Sequence, residues 1–256
     1  MHRLKICYNI DSKKGGLTSM KEPMKVYSKE YPKLYLNVTP GHFASDRFHI
    51  NYYIDMTSLK MRQINAKEVA KAMSKRYVRK VDISGNNRLI DEMAKQMAAQ
   101  SASVSPVDTI ICMDGCEVIG AYLAEEFANA GVNTTTQHHS CYVITPEFDR
   151  SGQMIVRENI APMIKGRHVL VILATAMSGR TISKSIRCIT SYGGIVEGIS
   201  VIFSNNVNEI DGHRVYSIFD HDDLPDFKLS LPEECEDCQN NVPLDAIVNS
   251  YGYEKL

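Results

Sequence analysis

The sequence has no run of lysine or arginine and no excess of either sign, because 29 basic residues nearly cancel 30 acidic ones over 256 residues. That balance argues against a nucleic-acid or polybasic membrane surface and leaves small, locally bound anions as the charged partners to look for. No apolar run approaches the length a bilayer-spanning helix needs. The opening stretch, "MHRLKICYNIDSKKGG", lacks the apolar core and cleavage site of a signal peptide, so a cytoplasmic protein without membrane association is the expectation. Internal repeats and low-complexity segments are also missing. Seven scattered cysteines, an odd number in a chain of this length, exclude the disulfide framework of a small secreted domain.

Four of those cysteines, Cys112, Cys116, Cys141 and Cys188, lie in or beside apolar segments and read as small buried hydrophobes. The pair Cys235-Glu-Asp-Cys238 differs, since its spacing suits zinc. A closed site needs four ligands, and the chain has no second C-x-x-C or H-x-x-x-H. A reduced surface pair and a site completed by distant residues both stay open, and no metal is assigned.

The length is long for one domain and short for two, which predicts one large core with terminal additions. The expected parts are an extension over 1–24, a segment over 25–60, an α/β core over 61–230 and a tail over 231–256. Within the second part, "KLYLNVTPGHFASDRFHINYYID" alternates aromatic and polar residues around Thr39-Pro40-Gly41, predicting short strands joined by a turn there. Asn65 to Tyr77 is helical in composition, and Leu89, Met93 and Met97 mark a second helix.

From Val107 the pattern alternates strand and helix. Val107 to Cys112 is an apolar run, followed by a helix faced by Val118, Ile119, Tyr122, Leu123 and Phe127. Cys141 to Thr145 is a second strand, and Gly152 to Asn159 is one arm of a hairpin. His168 to Leu173 is continuously apolar, as a strand buried on both faces is. Ile182, Ile186 and Ile189 stripe the next helix, and Gly193 to Phe203 supplies a fourth strand. Strands separated by helices predict a parallel, twisted sheet flanked by helices, with ligands at the carboxyl ends of its strands.

Two turns stand at that edge. Between Leu173 and the helix the chain runs through "ATAMSGRT", where unpaired amides and the positive end of the dipole suit an anion. Ser178 and Thr181 can add hydroxyls, Gly179 permits close approach and Arg180 brings a fixed charge, although Ser178 can equally be a plain helix cap. The turn "MDGCEVIG" from Met113 occupies the equivalent place after the first strand. There Asp114-Gly115 also reads as an ordinary turn, Glu117 as a complement to the helix dipole and Cys116 as a buried thiol. Two cradles on one edge suggest a ligand with two phosphate groups.

These residues resemble the type I phosphoribosyltransferases, and more narrowly the orotate phosphoribosyltransferases, over most of the chain. The resemblance implies a type I phosphoribosyltransferase fold with a small amino-terminal hood, carried here by "HFASDRFHINYYID". It implies that Thr175, Ala176, Met177, Ser178, Gly179, Arg180 and Thr181 bind the 5′-phosphate of phosphoribosyl diphosphate. Met113, Asp114, Gly115, Cys116 and Glu117 would hold the diphosphate, and Arg47, His49 and Tyr52 the base. It also implies Mg2+, a homodimer, and transfer of phosphoribose to orotate or a related base.

The departures from the family pattern are as specific as the matches. Leu173 and Ala174 stand where the family has two adjacent acids that grip the ribose and stabilise its developing positive charge. Between Gly131 and Ile164 there is no lysine for a loop closing on the diphosphate, only Arg150 and Arg157, and Ala44 falls near the place of the hood lysine. No catalytic residue is therefore assigned, and a catalytically impaired nucleotide-sensing module is the alternative reading. His138-His139 reads as an exposed loop pair, and Asp220, Asp222, Asp223 and Asp226 read as a solvated acidic turn rather than a magnesium cluster.

Overall fold

The computed structural model describes residues 21–78, 106–130 and 140–256. In chain order the amino-terminal elements are β1 (Met24–Tyr27), β2 (Tyr35–Ala44), β3 (His49–Asp55), α1 (Thr57–Met61) and α2 (Gln63–Ser74). They are followed by β4 (Thr109–Cys112), α3 (Glu117–Ala130), β5 (Tyr142–Ile144), β6 (Glu147–Phe148), β7 (Met154–Ile155) and β8 (His168–Ala176). The remainder comprises α4 (Arg180–Ser191), β9 (Ile195–Ser204), β10 (Glu209–Ile210), β11 (His213–Phe219), β12 (Leu229–Ser230), α5 (Glu236–Gln239), β13 (Ala246–Asn249) and β14 (Gly252–Lys255). The helix expected around Leu89 to Met97 and the His138-His139 pair lie outside the described residues.

The chain divides into two units, and the larger comprises Ser28–Leu34 and Thr57–Asp223. Its sheet has the order β10-β11-β9-β8-β4-β5, with every pair parallel except the β10–β11 hairpin at one edge. Numbered along the chain, its five parallel strands therefore run 2-1-3-4-5, a doubly wound α/β arrangement whose order reverses between β4 and β8. The β6–β7 hairpin forms as expected from Gly152 to Asn159.

Apolar side chains fill both faces of this sheet. Val169, Val171 and Leu173 of β8 share one cluster with Ile182, Ile186 and Ile189, the predicted stripe of α4. On α3, Ile119, Leu123 and Phe127 of the predicted face are fully buried, Tyr122 is half-buried and Val118 is exposed. Phe127 meets the buried ring of Tyr77 edge-on. The Tyr77 hydroxyl bonds the Ser200 Oγ of β9 at 2.8 Å, which keeps a buried polar group satisfied.

The smaller unit contains the described part of Met1–Tyr27, together with Tyr35–Met56 and Leu224–Leu256. Its sheet has the order β12-β3-β2-β13-β14, with β1 also on β2, around a small core of Phe43, Tyr53, Ala246 and Val248. Two expectations change here. Thr39-Pro40-Gly41 lies inside β2, and the turn falls at Ser45 to Phe48, where Ser45 and Phe48 exchange backbone and hydroxyl hydrogen bonds. Proline is tolerated in mid-strand because a bulge lies beside it between Pro40 and Phe43, and because the neighbouring strands β1 and β13 pair with β2 only on either side of it. The stretch expected as a tail supplies β13 and β14 to the same sheet as β2 and β3.

Gly120 sets how closely α3 lies on β4, since a Cβ there would stand 2.2 Å from the Cys112 sulfur and 3.1 Å from Val143. Gly120→Ala gains about 1 kcal/mol of helix propensity but overpacks a buried contact, at a cost of about 1–3 kcal/mol. The 2.2 Å contact with the buried Cys112 Sγ decides the sign, so the urea midpoint of Gly120→Ala is expected to fall below that of the wild type.

Candidate functional site

Strands β4 and β8 run in register from Thr109 opposite Val169 to Cys112 opposite Ile172, and then part. The Met113 N–H still donates to the Ile172 carbonyl at 2.9 Å, but the main chain leaves the sheet at the next residue. The Asp114 carboxyl stands at this break, and the Ala174 N–H acts on it to favour its charged form. β8 stays in the sheet to Ala176, held by β9 through Thr175 opposite Phe203 and Ala176 opposite Ser204. The order of a doubly wound sheet reverses at such a gap, and its carboxyl edge is where ligands of these folds enter.

On the β4 side the turn is made by two left-handed residues, Asp114 at φ 57° and Gly115 at φ 78°, before α3 opens with Glu117. Met113 and Cys116 are buried, Asp114 and Gly115 are half-buried and Glu117 is exposed. Lys60 of α1, itself buried, reaches this turn and donates from Nζ to the Asp114 carbonyl at 2.8 Å. Sequence reasoning missed Lys60 because a single lysine between Leu59 and Met61 carries no motif, and only the packing of α1 delivers it. Burial pushes the Asp114 carboxyl above its ordinary range; Lys60 and the Ala174 N–H pull it back, and Glu117 adds to the rise. Burial also drives the Cys116 thiol well above its usual value and Cys112 up to about 12, so neither is a thiolate nucleophile at neutral pH.

On the β8 side only Met177, Ser178 and Gly179 form the turn, since Thr175 and Ala176 belong to the strand. Gly179 is the residue preceding α4, left-handed at φ 71°, and no side chain caps the helix. Ser178 is therefore not a cap; it is exposed, as are Arg180 and Thr181. Gly179 is required for a reason other than ligand approach, because a Cβ there would lie 2.6 Å from Ile210 and 3.6 Å from Val207. The space a side chain would need is filled by β10 and the loop before it. Leu173 and Ala174 are both buried inside β8, with Leu173 in the apolar cluster beneath α4, so neither position presents a carboxylate or any polar substitute for one.

The remaining expected residues are dispersed. Arg47 is exposed on the β2–β3 turn beside the Phe48 ring, Tyr52 is half-buried on β3, and His49 is buried with Nδ1 facing His42 and Cys238. That orientation removes His49 from the base-recognition set. Arg157 is paired across the β6–β7 hairpin with Glu147 at 2.6 Å. In the acidic turn the Asp220 and Asp222 amides donate to the Asp223 and Asp220 carboxylates, the solvated turn expected from sequence. Glu117 accepts from Thr145 at 3.2 Å.

The larger unit is thus a doubly wound α/β sheet with two helix-opening turns flanking its reversal point. Solved structures similar to this chain are phosphoribosyltransferases. One is the Mycobacterium tuberculosis H37Rv orotate phosphoribosyltransferase in complex with 5-phospho-alpha-D-ribosyl 1-diphosphate, at 13% identity over 67% of this chain and 82% of that one, TM-score 0.39. Another is the Trypanosoma brucei adenine phosphoribosyl transferase in complex with AMP, pyrophosphate and ribose-5-phosphate, at 12% identity, 73% and 78% coverage, TM-score 0.44. The hypoxanthine phosphoribosyltransferase of Trypanosoma cruzi shares 16% identity over 62% of this chain and 75% of that one, TM-score 0.36. No family model matches the sequence, and no curated protein matches it. At these TM-scores the likeness gives no residue a role.

Because the folded state raises the Asp114 pKa, this group's contribution to stability falls as pH rises from the ordinary aspartate value, about 3.9, through the raised one. Asp114→Asn keeps an acceptor for Ala174, tolerates the left-handed backbone and removes the charge. The variant is expected to be more stable than wild type at neutral pH, with the difference closing as pH falls below about 4, measured as urea midpoints across a pH series.

Proposed function

We propose that the larger unit binds a phosphorylated ribose, as phosphoribosyl diphosphate or a nucleoside monophosphate, with a phosphate at the start of α4. The observation that carries this is the charge pattern of that helix, which opens on Arg180, holds no acid in its first turn and has no side-chain cap. Positive charge at the positive end of a helix dipole is unfavourable unless an anion neutralises both. The exposed hydroxyls of Ser178 and Thr181 are further donors to such an anion. The likeness of "LATAMSGRT" to the phosphoribosyl diphosphate motif supplies the chemical class.

The turn from Met113 to Glu117 is the proposed diphosphate side, with Lys60 as its cation. Its acids would repel a bare diphosphate, so the reading takes the ligand as its Mg2+ complex and assigns no step to the ion. Transfer to orotate or a related base is slow at best. A hydrogen bond to a charged group is worth about 1.5–3 kcal/mol, so each one missing from the transition state costs about tenfold to a hundredfold in rate. The burial of Leu173 in the apolar cluster favours the second reading, a nucleotide-sensing module that binds without turnover.

Calorimetric titration with phosphoribosyl diphosphate and with a nucleoside monophosphate, followed by a diphosphate-release assay with orotate, separates the readings. Binding is expected, weakened about tenfold to a hundredfold in Arg180→Ala by loss of a charged hydrogen bond. Heat without release leaves the sensor, and fast release contradicts the catalytic part of the proposal. No heat with either ligand ends it.

A further inference from the structure

We infer that the smaller unit is built around a zinc ion held by His42, His49, Cys235 and Cys238. The four ligand atoms, one per residue, all lie within 4.8 Å of one another. His42 Nε2 and His49 Nδ1 are 3.0 Å apart, Cys235 Sγ is 3.4 Å from His42 Nε2, and Cys238 Sγ is 3.6 Å from His42 Nε2 and 3.2 Å from His49 Nδ1. A tetrahedral zinc with its ordinary bond lengths sets ligand separations of about 3.3 Å between nitrogens and about 3.5 Å between nitrogen and sulfur. The four nitrogen–nitrogen and nitrogen–sulfur separations given above lie within about 0.3 Å of these values.

Hydrogen bonding alone does not account for it. The Val242 carbonyl can only accept, so His42 donates to it from Nδ1 at 3.0 Å and, as a neutral imidazole, keeps a lone pair on Nε2. Three groups, the His49 Nδ1 and both sulfurs, converge on that one lone pair. One proton donor could satisfy it, whereas a metal at the centroid satisfies all four ligands. The Nδ1–H to carbonyl bond is also the outer-shell contact that fixes the tautomer and ring orientation of a metal-bound histidine.

The surroundings point to a structural role. Between Leu231 and Asp245 the only buried residue is Cys235, so apolar packing does not hold this stretch in place. The apolar cluster of Phe43, Tyr53, Ala246 and Val248 draws no residue from this stretch, which a metal staple would tie to the sheet. His42 is placed by a dedicated device, for its N–H donates to Asp245 at 2.8 Å and its carbonyl accepts from the Asp245 N–H at 2.8 Å. Gly41 leaves room for that same carboxylate, since a Cβ there would stand 2.6 Å from it. Four protein ligands of the Cys2His2 type close the coordination sphere and leave no open position for catalysis.

The test uses the untagged full-length chain, purified reduced and without chelator. Metal analysis is expected to give about one zinc per chain. Cobalt loaded into the apo-protein is expected to show the visible spectrum of a tetrahedral site with thiolate-to-metal charge transfer that weakens in Cys235→Ser and again in the double variant with Cys238→Ser. Each substitution is expected to weaken zinc binding by at least about a hundredfold, beyond the ten- to hundredfold cost of losing an outer-shell partner. Metal removal is expected to speed hydrogen exchange over Leu231 to Ala246 while α4 is unchanged. A wild-type chain that takes up neither metal overturns the proposal, and because this uses no variant it does not depend on any variant folding. Iron in place of zinc, or undiminished affinity in the double cysteine variant, overturns it as well. The phosphate site has its own assay, so the two readings fail separately.

Discussion

The larger unit depends on one event, the parting of two parallel strands after four residues in register. Every buried amide needs an acceptor, and when β4 leaves the sheet at Met113 the Ala174 N–H loses its backbone partner. The Asp114 carboxyl faces that amide from a left-handed backbone, half-buried beside Lys60. The tight turn into α3 and the buried lysine that donates to it stand at the same break in the ladder.

The two helix starts that flank the gap are opposite in charge. α3 opens on Glu117 and complements its own dipole; α4 opens on Arg180 and does not. A fold selected for stability alone has no use for the second arrangement, and a bound anion gives it one. The same edge has no acid at Leu173 or Ala174, so a ligand held there as proposed would not be chemically activated by those residues. On the proposed reading binding and turnover are physically separable, because the groups that would attract an anion are distinct from those that would stabilise a developing cation.

In the smaller unit the same accounting applies to a different kind of group. Its sheet is joined by a carboxy-terminal stretch from Leu231 in which Cys235 is the one buried residue before Ala246, and two buried histidines with two cysteines converge where that stretch meets the sheet. A zinc ion there does for this unit what the α4 cluster does for the larger sheet, by tying strands distant in sequence to one point. The device costs a proline and glycine in mid-strand and a bulge to aim His42.

The sequence by itself determined the alternation of strand and helix, since burial patterns repeat locally and need no knowledge of the partner: the His168 run, the Ile182, Ile186 and Ile189 stripe and the Gly152 hairpin all stand as read. It also marked both turns of the carboxyl edge. What it could not supply were decisions made by neighbours. Pro40-Gly41 is a turn signal in isolation and a bulge only because β3 and β13 flank it. Gly179 reads as room for a ligand until Ile210 is seen in that space, and Ser178 reads as a cap until the helix is seen without one. Cys235 and Cys238 show half of a metal site, and their partners lie 193 and 189 residues away along the chain. Tertiary structure alone decided that convergence, because a ligand set is a distance between atoms and spacing in sequence measures distance only within one local element.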